Sequence, residues 1–348
     1  MSHRNDRCRD NSVGLLWSSV LVGIGSAAGC SSDYTVRPTV SAASMTAPAV
    51  PAPLGPVLQI DAGVLNVGYV ETGPANGKAV VLLHGWPYDI HCFDAVAPLL
   101  AAKGYRVVVP YLRGFGTTHF RSAETPRSGE QAAMAADTIA LMDALRINKA
   151  ILAGFDWGAR TVDSVAALWP ERTSAIVSVS GYLIVNLKAN AKPLPPAAEV
   201  AWWYQYYFAT ERGRTGYDEN RRAFAKLIWK QASPKWRFDD TTFDRSAGAF
   251  DNPDHVSIVI DNYRWRLGIS APDPQYAELE SRLQQAPVIS VPAITMASDF
   301  DGAAADGASY AKQFSGRHDH RVLPGIGHDV PQEAPEAFAQ AIVDVGNY

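Results

Sequence analysis

Residues 150–160 read Ala150-Ile151-Leu152-Ala153-Gly154-Phe155-Asp156-Trp157-Gly158-Ala159-Arg160. The first four form an unbroken apolar run, the pattern of a strand covered on both faces. Gly154 and Gly158 then let the backbone turn sharply with no Cβ in the way. From Ala159 to Trp169 the spacing is helical, and Pro170 stops it. Strand, tight turn and helix together make the elbow of the G-x-S-x-G type, with Asp156 where that pattern has serine. The helix start behind the turn offers free N–H groups and a positive dipole end to an anion. The plainer alternative is a surface loop in which Asp156 only caps the helix.

Outward from the elbow, strand and helix signals alternate. Strands are expected at 57–60, 66–71, 79–83, 106–109, 150–153, 175–179, 293–297 and 320–323, and helices at 132–145, 159–169 and 335–345. Alternation of this kind implies a mostly parallel, doubly wound α/β sheet covered by helices. It divides the chain into a first core part at 57–183 and a second at 286–348. Between them, residues 184–285 show no such alternation but carry aromatic and basic clusters such as Trp202-Trp203-Tyr204-Gln205-Tyr206-Tyr207-Phe208 and Asn262-Tyr263-Arg264-Trp265-Arg266. This segment reads as an inserted helical lid, or cap, at the carboxyl ends of the strands, where ligands bind in such sheets.

Two further loops converge on the same edge. Leu82-Leu83 runs into His84-Gly85-Trp86-Pro87, so the backbone N–H groups of Trp86 and Trp157 are candidate oxyanion donors. His84 reads as a buried loop histidine bonded to backbone. Near the end, Pro324-Gly325-Ile326-Gly327-His328-Asp329 follows a strand, and its histidine can reach over the elbow. The order Asp156, Asp299, His328 then reproduces nucleophile, acid and base. Asp299 follows the strand at 293–297, with Asp301 as its rival two residues on.

The motifs His84-Gly85-Trp86-Pro87, Gly154-Phe155-Asp156-Trp157-Gly158-Ala159 and Gly325-Ile326-Gly327-His328, in this order, resemble the α/β-hydrolase fold over residues 57–348. An aspartate nucleophile followed by tryptophan is similar to the epoxide hydrolase and haloalkane dehalogenase branch. Aspartate restricts the chemistry by itself, because a carboxylate attacking an ester makes only an anhydride. Attack on an sp³ carbon bearing an epoxide oxygen or a halide makes an alkyl ester, which water activated by His328 can cleave at the Asp156 carbonyl carbon. An epoxide oxygen also needs a proton donor. The resemblance implies lid tyrosines for this, and Tyr204 and Tyr263 match their positions, whereas Tyr206 and Tyr207 read as packing. A haloalkane or haloacetate dehalogenase of the same ester chemistry is the alternative. A non-catalytic binding protein on the same fold is a further one.

Composition narrows the remaining classes. The chain has 348 residues, 31 Lys plus Arg against 35 Asp plus Glu, and 47% apolar residues, which excludes wholesale disorder. Its net charge of −4 argues against a nucleic-acid partner. The three cysteines, Cys8, Cys30 and Cys92, cannot frame a disulfide scaffold. Neither a metal site nor a cofactor is expected. The expected partner is a small apolar epoxide or halide; an oligomeric state is not assigned.

The first residues read as an address. Arg4, Arg7 and Arg9 precede an apolar stretch at 13–25, shorter than a spanning helix, followed by Ser26-Ala27-Ala28-Gly29-Cys30. This resembles a bacterial lipoprotein signal over residues 1–30 that ends at a lipidated Cys30. An ordinary cleaved signal or an uncleaved anchor are the alternatives. Residues 31–56, rich in Ser, Ala and Pro, read as a tether. The expected location is the bacterial cell envelope, with a lipid anchor on the outer membrane or periplasmic face; without lipidation the expectation is a secreted or periplasmic protein.

Overall fold

Nine strands form one sheet in a computed structural model that describes residues 54–348. The signal at 1–30 with Cys30, and the tether up to residue 53, lie outside the described residues. The strands are β1 (Leu58–Ala62), β2 (Leu65–Thr72), β3 (Lys78–Leu83), β4 (Tyr105–Pro110), β5 (His119–Phe120), β6 (Ala150–Gly154), β7 (Thr173–Val179), β8 (Ala293–Ser298) and β9 (His318–Leu323). Their spatial order is β1-β2-β4-β3-β6-β7-β8-β9, with β5 beside β2. The β1–β2, β2–β4 and β2–β5 pairs are antiparallel, and every pair from β4 to β9 is parallel. This is the mostly parallel, doubly wound sheet anticipated from the alternating pattern, in the α/β-hydrolase arrangement that the three motifs resemble. The two-residue strand β5 and the short helix Val96–Ala101 carry too little pattern to be read in advance.

The central strands show why the apolar runs matter. All five residues of β6 are buried, as are five of the six in β3, so both faces are covered. One covering element is the helix Trp157–Leu168, in which Asp163, Ser164 and Thr161 are buried along with the apolar residues. After β3 the chain crosses to β4 on one side, and later returns to β6 on the other, so the sheet reverses its winding at the carboxyl ends of β3 and β6. A crevice forms at such a point. Leu83 pairs with Gly154 in register there, which brings the loop at 84–87 against the elbow at 155–158.

Among the described residues between β7 and β8 there are helices and no strand of the sheet. The long helix Glu211–Ala232 and the helices Trp203–Phe208 and His255–Arg266 bring their aromatic side chains down onto Trp86, whose ring lies 5.2–6.3 Å from those of Tyr204, Phe208, Tyr217, Phe224 and Tyr263. The last helix of this segment, Ala277–Leu283, leans on the core instead. Its Glu280 accepts from the N–H of Ala132 (2.8 Å) and from Gln131 Nε2 (3.2 Å), and so caps the core helix Gln131–Ala144.

Candidate active site

Asp156 sits at the tip of the elbow with φ 51° and ψ −120°, a conformation that costs a non-glycine residue about 1–3 kcal/mol. The turn is possible because Gly158 packs directly on the end of β3; a Cβ there would come within 1.9 Å of the Leu83 carbonyl oxygen. The Asp156 carboxylate has two distinct oxygens. Oδ1 accepts from the backbone N–H of Trp86 at 2.8 Å, and Oδ2 lies 3.6 Å from His328 Nε2. Burial pushes the carboxyl up, but His328, the Arg160 guanidinium and the Trp86 N–H outweigh burial and hold it below the usual carboxylate range. Trp157 is the first residue of its helix, so its N–H is one of those with no partner inside the helix.

His328 arrives on the loop after β9. Its backbone N–H donates to Ser233 Oγ (2.9 Å), and that hydroxyl donates to Glu333 (2.6 Å), whose other oxygen accepts from the Gly327 N–H (2.8 Å). The imidazole lies against the Phe300 ring at 4.0 Å between centroids. Ser233, at the end of the helix Glu211–Ala232, thus ties the cap to the histidine loop. Nothing in its sequence surroundings signals this role.

Asp299 is not placed as expected. Its side chain is 39% exposed and paired with Lys235 Nζ at 2.5 Å, while its Oδ1 accepts from the Gly325 N–H at 3.0 Å. Asp301 is the buried member, 1% exposed. The reason is a capping box: Ser298 caps the short helix Asp299–Ala304, and Asp301 Oδ2 reaches back to the Ser298 N–H at 2.8 Å. That bond turns Asp301 inward and leaves Asp299 outside. Burial raises the Asp301 carboxyl, and Ser180, the Ser298 N–H and the fields of His328 and His320 oppose that rise. The enclosed carboxylate of the two is therefore Asp301, whereas Asp299, the expected acid, faces solvent and Lys235.

Tyr204 and Tyr263 are both buried, with ring centroids 5.3 Å apart and nearly perpendicular. Burial raises both hydroxyls above the ordinary phenol value and the charge of Asp156 raises them further, so they stay protonated. Tyr263 also lies 6.0 Å from the Trp157 ring, whose buried indole N–H has no hydrogen-bond partner among the described residues. Tyr206 is exposed and bonds to Glu199, and Tyr207 stacks on Phe224. His84 is buried, accepts from the Leu112 N–H (3.1 Å) and donates through Nδ1 to the Gly85 carbonyl (2.9 Å). Burial lowers it to about 4, so it stays neutral.

One network was absent from the sequence reading. The Trp86 indole donates to Tyr217 Oη (2.8 Å), Tyr217 donates to His255 Nε2 (2.8 Å), and His255 Nδ1 donates to the Gly114 carbonyl (2.9 Å). All three side chains are buried, and burial lowers His255 to about 3. Among the described residues, no group of three or more His, Cys, Asp or Glu is placed to hold a metal ion.

Known proteins share this fold. A family model of the α/β-hydrolase fold matches residues 78–219. The crystal structure of a candidate epoxide hydrolase from Klebsiella pneumoniae is 58% identical, with a TM-score of 0.82 over 84% of this chain and 97% of that one. Epoxide hydrolase B of Mycobacterium tuberculosis is 32% identical over 150 residues, 39% of this chain and 41% of that protein. The chain thus spans about two fifths of the length of that curated relative. A haloalkane dehalogenase of Mycobacterium marinum is 33% identical over 226 residues, 60% of this chain and 70% of that protein.

Proposed function

We propose that this chain, which belongs to the α/β-hydrolase family, is an epoxide hydrolase that opens its substrate to a diol through an ester on Asp156. The observation that carries the reading is the pair of buried, protonated phenols, Tyr204 and Tyr263, packed together in the field of the nucleophile. Asp156 Oδ2 attacks an epoxide carbon. The C–O bond breaks, and the developing alkoxide takes a proton from one tyrosine. His328 Nε2 then removes a proton from water, whose oxygen attacks Asp156 Cγ. The charge that builds on Oδ1 is held by the N–H groups of Trp86 and Trp157; removing one such donor typically costs about 10²–10³ in rate. Collapse expels the diol oxygen, and the protons held by His328 and the new carboxylic acid return to it and to the tyrosinate. Asp301 holds the imidazole and stabilises its cation.

The dehalogenase alternative draws support from the mycobacterial relative, since a departing halide needs only weak donors. Of the two indoles beside the nucleophile, however, Trp86 has given its N–H to Tyr217. That leaves Trp157 as the halide donor.

The deciding experiment is the intact mass of His328→Gln after incubation with styrene oxide or 1-bromobutane. A trapped ester should add the full mass of the epoxide, whereas an alkyl halide would add its mass less HBr. An adduct from the bromide and none from the epoxide overturns the proposal. For location, we propose cleavage before Cys30 and lipidation of that cysteine.

A further inference from the structure

Two arginines lie in the interior beside the nucleophile without the acceptors that buried guanidiniums require. Arg160 is one helical turn beyond Asp156 and Arg266 ends the helix His255–Arg266; they are 6% and 5% exposed. Arg160 donates from Nη1 to the Leu183 carbonyl (2.9 Å), and its buried Nε has no partner. The buried Nε of Arg266 likewise has no hydrogen-bond partner among the described residues. It lies over the rings of Trp202 and Tyr263, 5.2 Å from each centroid. The acidic residue closest in sequence, Asp163, spends Oδ2 on the Leu183 N–H and makes no ion pair with either arginine, and burial raises its carboxyl. Tyr263, under Arg266, lies 6.0 Å from the ring of Trp157, which begins the helix that carries Arg160, so both cations approach the elbow; burial and then Arg266 lower Arg160 to about 10.

Burying like charges together, with donors unsatisfied, is costly unless an anion completes the set. Neither guanidinium has a carboxylate ion-pair partner among the described residues, and the Nε of each is left without an acceptor. A planar monoanion with two oxygens suits the guanidinium fork, and the surrounding Trp202, Tyr204 and Phe208 offer an apolar wall. We propose that Arg160 and Arg266 form a carboxylate subsite, so that the preferred substrate is an epoxide bearing a carboxylate rather than a purely apolar one. The substrate class rests on the reading of Asp156 as an ester-forming nucleophile; the subsite does not.

The test pairs turnover with binding. The wild type should hydrolyse 3-phenylglycidate with at least a tenfold higher kcat/KM than its methyl ester. Arg266→Met should cut that ratio at least tenfold, through KM, and Arg266→Lys should restore part of it. By calorimetry, 3-phenylpropanoate should bind at least tenfold tighter than 3-phenylpropanamide to the wild type, and equally to a folded Arg266→Met protein. Turnover of both epoxides without preference, or equal binding of acid and amide to the wild type, overturns the subsite and leaves the hydrolase reading intact. Binding of the acid that depends on Arg266, with no epoxide opened, overturns the hydrolase reading and leaves the subsite standing.

Discussion

Asp299 and Asp301 are two residues apart and occupy opposite environments. One reaches solvent and Lys235, and the other is enclosed and bonded to the Ser298 N–H. Only an enclosed carboxylate can hold an imidazole tautomer and stabilise its cation through a low-dielectric interior. Asp301→Asn should therefore slow the hydrolytic half-reaction by about 10²-fold or more, on the scale of lost general base catalysis, while leaving ester formation nearly unchanged. Asp299→Asn should alter either step by less than about twofold, because a half-exposed ion pair contributes little. Single-turnover kinetics separates the two steps. A second residue-scale consequence concerns Gly158. A methyl group there meets the Leu83 carbonyl at 1.9 Å, so Gly158→Ala should destabilise the fold by roughly 1–3 kcal/mol, measured by urea unfolding.

The cap helices reach into the site through side chains that a helix pattern alone does not distinguish from packing. Tyr217, on Glu211–Ala232, and His255, on His255–Arg266, hold the Trp86 indole, and Trp86 supplies the N–H that binds Asp156. Tyr217→Phe removes an acceptor for Trp86 and a donor for His255, and leaves buried polar atoms without partners. The expected result is about a tenfold fall in the rate of ester hydrolysis, with a smaller effect on ester formation. It should also appear as altered Trp fluorescence, which a purely structural loss elsewhere would not give. Equal effects on both half-reactions would argue against this coupling.

At the scale of the molecule, the lid segment meets the core through a crowd of acids around residues 129–132. Asp261 accepts from the Gly129 N–H, Glu280 from the Ala132 N–H, and Glu130 from the Asp273 N–H. Burial, with Glu280, Asp261 and Asp273 nearby, raises Glu130 from 4.5 to about 7. Its folded state holds the proton more tightly than the unfolded chain. The resulting stability is complete below about pH 4.5 and is lost as pH rises through 7. Glu130→Gln should thus gain stability relative to wild type between pH 4.5 and 8, read from the difference in Tm at each pH. Location belongs to this scale as well. Cys30→Ser should release the protein from membranes, and an unchanged membrane fraction would remove the lipid anchor.

The chain by itself determined the sheet, the elbow and the loops around it. Short unbroken apolar runs such as Ala150-Ile151-Leu152-Ala153, closed by turn residues, read as strands covered on both sides, and Gly154 and Gly158 permit the sharp turn between strand and helix. Local pattern carries those features, so they were legible without coordinates. Tertiary structure decided which of two aspartates faces inward, because a capping box at Ser298 selects Asp301 through a bond to the backbone. It also decided that Arg266 and Arg160, 106 positions apart in sequence, are both buried and approach the same elbow, and that Tyr217 and His255 hold Trp86. These are contacts between distant segments. They depend on how the cap helices pack over the crevice, and no periodicity within either segment encodes them.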